Sequence, residues 1–197
     1  MNKNFGTRVE NVWKDLRPIT KEFLVDVLKT NKKPKKQTVS YDAHSDWELS
    51  RLLGALDASS GMKPDSVDIK EMKRLADICV SVLEEKTVSA DIFIQLAKRA
   101  LKRNDFAKID KLADILHERF AAGEIIEVIR ATEIPQISAI AYETLAIMPV
   151  SSIAPHIKDP LYFEIACNVL DQQANEFQNR EAKQVLEGLE AGFNFNS

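Results

Sequence analysis

Apolar residues recur at i, i+3, i+4 and i+7 along most of this chain, the spacing that turns one face of an α-helix toward a core. The pattern is clearest from Ser66 to Glu85, through Ile69, Met72, Leu75, Ala76, Cys79, Val82 and Leu83. It continues from Ser89 to Arg103 through Phe93, Leu96, Ala97, Ala100 and Leu101. Asn104 suits a left-handed end to that helix. Asp105 suits the cap of a third helix, which runs through Ile109, Leu112, Ala113, Leu116 and Phe120 to about Gly123. Residues that fit a strand hairpin do not stand out.

Upstream, Val9 to Leu16 and Thr20 to Leu28 read as a helix pair divided at Pro18, or as one helix kinked there, with Val12, Trp13, Leu16, Phe23, Leu24, Val27 and Leu28 apolar. Lys29 to Tyr41, with Lys32, Lys33, Lys35 and Lys36, has no apolar period and reads as an exposed linker. Ser45 with Glu48 predicts a capping box ahead of Leu49, Leu52, Leu53 and Leu56. A loop from Ala58 to Pro64 closes this part.

From Glu124 the rhythm changes. A short helix, Glu124 to Arg130, precedes a longer one from Pro135; a short helix near Ser151 to Ile157 precedes a longer one from Pro160 to Phe177. The two longer helices share the string Pro-x-x-x-x-Ile-Ala-x-x-x-Leu, at Pro135, Ile140, Ala141, Leu145 and at Pro160, Ile165, Ala166, Leu170. Each copy predicts a helix with proline in its first turn and a small alanine, beside an inward isoleucine, docked closely on a neighbour. Asp159 is the expected cap before Pro160. A last helix from about Asn179 uses Ala182, Val185, Leu186 and Leu189, and the tail from Gly192 is expected to fray. Leu-Ala-Asp-Ile occurs at both Leu75 and Leu112, a weak extension of the repeat upstream.

The stretch Met148 to Pro160, continuing through Ile165, Ala166 and Leu170, resembles the short variety of HEAT-like repeat, in which a short helix is followed by Asp-Pro and a second helix with a buried small residue. Glu124 to Met148 resembles a second unit, so the likeness covers residues 124–178. Where that family often carries Val-Arg, this chain has Ile137-Ser138 and Tyr162-Phe163, without the arginine. The resemblance implies an α-solenoid used for binding and supplies no catalytic residues. The expected fold is all-α, a short right-handed α-solenoid of stacked helical pairs behind a small helical N-terminal segment. Its expected divisions are 1–41 (N-terminal helices and basic linker), 42–65 (short helix and loop) and 66–197 (helical-repeat domain).

Charge alters the picture modestly. The formal net charge is −3, but residues 1–65 hold 12 basic and 9 acidic side chains and residues 131–197 hold 3 and 9. That polarity first of all keeps the protein in solution; it also suits a charged partner. Cys79 and Cys167 lie in apolar helical stretches without metal-ligand spacing and read as small buried residues. Met1 to Glu10 has no apolar run after Lys3, and the longest uncharged run, Thr144 to Ile157, is interrupted by prolines and too short to span a bilayer. A cytoplasmic protein without a membrane anchor is expected.

Asp114 and His117 share one helix face without a third ligand, so both read as surface residues and no metal is expected; His44 and His156 add no ligand set. His117-Glu118-Arg119-Phe120-Ala121 is not a zinc helix, and neither a phosphate loop nor a nucleophile elbow occurs. No catalytic residue, cofactor or enzyme activity is predicted. Trp13 and Trp47 are read as filling core gaps, with use as interface anchors the lesser alternative.

The expected job is to hold another protein through the exposed stripe Glu164, Asn168, Asp171 and Asn175, with Glu143 of the preceding unit beside it, and a basic segment as ligand. The rival is a nucleic-acid-binding or helical-repeat DNA repair protein using Lys98, Arg99, Lys102 and Arg103 at a helix end. A third is a regulatory subunit that takes a small ligand between helices.

Overall fold

The structure, a computed structural model, describes residues 6–30, 42–59 and 69–194, and every regular element among them is helical. No helix among the described residues is long and apolar enough to cross a membrane. The chain forms two compact units that divide between Thr87 and Val88.

The first unit holds α1 (Thr7–Asp15), α2 (Pro18–Thr30), α3 (Ala43–Ser59) and α4 (Ile69–Lys86). Between α1 and α2, Leu16 adopts an extended conformation and Pro18 opens the next helix, so of the two readings at Pro18 the break holds and the kink does not. Helix α3 packs on α1 and α4, and α4 also packs on α2. Val9, Leu24, Leu49, Leu52, Leu53, Leu56, Leu75, Cys79 and Leu83 form the core. The linker around Lys32 to Lys36 and most of the loop after Ala58 lie outside the described residues, as does the expected boundary at residue 66. Helix α4, expected with the repeats, belongs to this first unit.

The second unit runs α5 (Ala90–Lys102), α6 (Phe106–Arg119), α7 (Ala122–Ala131), α8 (Pro135–Ala146), α9 (Val150–Ile153) with a 3-10 turn at Ala154–Lys158, α10 (Phe163–Asn175) and α11 (Arg180–Asn194). Consecutive helices pack in pairs: α5 on α6, α7 on α8, the 3-10 turn on α10. Neighbouring pairs meet through α5 on α7, α6 on α8 and α8 on α10, and α11 covers part of α10. Phe93 and Phe120 meet edge to face at 5.8 Å between centroids. Asn104 takes a left-handed φ of 54° and Asp105 caps α6 through the Lys108 N–H, both as the sequence predicts.

Several expectations need correction. The cap of α3 is Asp42, whose carboxylate accepts the Ser45 N–H at 2.7 Å and hydroxyl at 2.8 Å; Glu48 instead accepts from Arg17, just before α2, and from Thr20 in its first turn. Helix α6 stops at Arg119 because Phe120 goes extended and is buried, which leaves Gly123 in the first turn of α7. Pro135 does open α8, but Pro160 precedes α10 by a turn: the Asp159 carboxylate takes the Leu161 N–H at 2.9 Å, and the helix begins at Phe163. Ala141 and Ala166 are fully buried, whereas Ile140 and Ile165 sit on the helix flanks and are only half-buried. Cys167 is half-buried too. Trp13 is half-buried, and Trp47 is 50% exposed, held against the Arg51 guanidinium at 4.5 Å and not in the core.

Candidate functional site

Helix α10 places Glu164, Asn168, Asp171 and Asn175 on one exposed face, opposite the buried Ala166, Val169, Leu170 and Gln173. The spacing of four, three and four residues keeps them within a narrow arc of the helix. The Asn175 amide donates to Asp171 at 2.8 Å, so a neutral donor steadies the carboxylate without cancelling its charge. Glu143 is exposed on α8, the helix that packs beside α10.

The basic cluster is less uniform than its sequence suggests. Lys98, Lys102 and Arg103 are exposed at the end of α5, but Arg99 is half-buried with both terminal guanidinium nitrogens out of solvent. Burial, with Arg103 nearby, lowers the Arg99 pKa to about 10, so it stays cationic near neutrality while its charge faces inward.

Asp114 and His117 are both exposed on α6, and no group of three or more metal-ligating side chains comes together among the described residues. Cys79 is fully buried, which pushes its thiol up to about 12, far from a reactive thiolate.

Two polar clusters escaped the sequence reading. In the first unit the Glu48 carboxylate, with no exposed side-chain surface, accepts the Arg17 backbone N–H at 2.5 Å, the Arg17 Nε at 3.0 Å and the Thr20 hydroxyl at 2.6 Å. Burial alone would raise its pKa, yet these bonds from Thr20 and Arg17 outweigh it and hold the carboxyl below its usual range. The same guanidinium pairs in a fork with Asp42, at 3.0 and 3.1 Å. In the second unit Arg130 forms a fork with Glu127 at 2.6 and 2.7 Å, and the Tyr162 hydroxyl approaches Glu127 at 3.4 Å. The Tyr162 ring meets His156 edge to face, and His156 in turn lies over Gly123. Only the i, i+3 spacing of Glu127 and Arg130 is visible in one sequence. In both clusters the carboxylates already accept from arginine, tyrosine or helix amides, an arrangement suited to holding helices together.

Comparison with known proteins finds no matching family model, no curated relative and no solved structure with significant similarity.

Proposed function

We propose that this protein is a non-enzymatic helical-repeat protein whose second unit is a short HEAT-like solenoid that holds a basic segment of another protein. The packing of α5, α7 and α9 in one succession and of α6, α8 and α10 in another supports the stacked-pair reading. So does the complete burial of Ala141 and Ala166 on successive long helices.

The observation that carries the binding assignment is the exposed stripe of Glu164, Asn168, Asp171 and Asn175, in a third of the chain where acidic residues outnumber basic ones 9 to 3. Surface carboxylates on a rigid helix favour a cationic ligand by electrostatic complementarity. The test is Glu164→Lys with Asp171→Lys, compared with wild type in a pull-down from cells of the source organism. Loss of specific recovered proteins, with the helical circular dichroism spectrum intact, is expected. Recovery equal to wild type refutes the placement.

A further inference from the structure

We propose that the basic segment held by the second unit is amphipathic and brings apolar anchors for Ile147 and Phe177, which stand at the ends of α8 and α10, as well as cations; this rests on the reading that the second unit binds a basic segment. The Gln173 amide nitrogen donates to the carbonyl oxygens of Ala146 and Met148, both at 2.8 Å, and so fastens the last turn of α10 to the end of α8. Ile147 lies between those two carbonyls and is 62% exposed; Phe177, one turn beyond Gln173, is 53% exposed. Phe177 is not a loose end. The chain turns back through Gln178 at φ 56°, and the Asn179 N–H returns to the Gln173 carbonyl at 2.9 Å, which fixes the turn that follows α10. Two large apolar side chains are thus presented to solvent on a backbone held by hydrogen bonds, as anchors of an interface are.

Charge selects the occupant. Glu143 of α8 precedes Ile147, the residue that caps that helix, by one turn; Asp171 lies near the end of α10 and Glu176 caps it. Glu176 accepts from the Gln172 amide at 2.9 Å, as Asp171 does from Asn175, and among the described residues no lysine or arginine pairs with any of the three. Arg180 opens α11 three positions past Phe177, so the partner's cations are expected at Glu143 and Asp171 and not at the start of α11. Apolar anchors flanked by uncompensated carboxylates fit a helix that carries leucine-like residues on one face and lysine or arginine beside them.

The test uses the full chain and two fluorescent peptides of equal charge at physiological salt: lysine and leucine in helical i, i+3, i+4 register, and the same peptide with serine for leucine. The lysine-leucine peptide should bind saturably by anisotropy. Ile147→Ser with Phe177→Ser should weaken it about tenfold or more, the loss of a central anchor pair. Both residues are exposed, so circular dichroism should be unchanged. Equal binding of the two peptides, indifferent to Ile147→Ser with Phe177→Ser, overturns the anchors while leaving the charge reading intact. No binding of the lysine-leucine peptide overturns the inference outright, and the pull-down with Glu164→Lys and Asp171→Lys judges the underlying function separately.

Discussion

Glu48 is an ionised carboxylate without solvent, tolerated because a helix-end amide, a hydroxyl and a guanidinium converge on it. Glu48→Gln replaces the anionic acceptor with an amide whose own donors oppose those of Arg17 or Thr20, and should destabilise the first unit by about 2 kcal/mol. Both tryptophans, Trp13 and Trp47, lie in that unit, so tryptophan fluorescence in urea reads it selectively. The pH dependence follows in sign: Glu48 and Asp42 are held below their ordinary values, so their stabilisation is complete above about 4.5 and is lost as pH falls through the acid range. Glu48→Gln should flatten that acid limb; a slope equal to wild type would count against the network. Gly123 poses a second residue-scale test, because an added Cβ would lie 2.9 Å from His156 Cε1. With the ring present, Gly123→Ala should gain nothing. In a His156→Ala background it should raise the denaturation midpoint, by roughly 0.5–1 kcal/mol of recovered helix propensity. No gain in that background would mean that the ring is not what demands glycine. Neither contact was legible in the sequence, since Arg17 with Glu48 and Gly123 with His156 are joined only by folding.

At the scale of elements, periodicity located the helices well: the apolar sets of α4, α5 and α6 are largely buried as their spacing requires. The ends were harder, because several are satisfied by a neighbouring helix. Glu48 of α3 takes an amide at the start of α2, Glu124 of α7 takes the Ala90 N–H at the start of α5 at 3.0 Å, and Gln173 of α10 bonds the carbonyls at the end of α8. Such caps leave no local signature, whereas Asp105 and Asn179, which cap their own helices, do. The repeated Pro-x-x-x-x-Ile-Ala string was legible where it reports burial and misleading at Pro160, where the Asp159 turn delays the helix. Ala141 and Ala166 have no exposed surface, so leucine at either should overpack the contact and cost about 1–3 kcal/mol. Urea midpoints followed by circular dichroism check this, and midpoints unchanged by both substitutions would defeat the equivalence of the two helices.

For the whole molecule, the sequence conveyed an uneven charge but not which cations reach solvent. Four basic residues near the end of α5 promise a phosphate site on paper; in the fold Lys98, Lys102 and Arg103 are exposed and Arg99 is turned in. Cations there also complement the negative end of the helix, and Asp105 and Asp110 stand among the next residues on α6. Three outward cations release few counterions, so duplex DNA should bind with a Kd weaker than about 1 μM at physiological salt, and log affinity should fall against log salt with a slope no steeper than about −3. Replacing Lys98, Lys102 and Arg103 together with glutamate should abolish what binding remains, while Arg99→Gln should act on stability before it acts on binding. Salt-series anisotropy with a labelled duplex decides the matter. Submicromolar binding at physiological salt, lost in the triple variant, would make nucleic acid the leading partner and the acidic face of α10 an ordinary solvated surface.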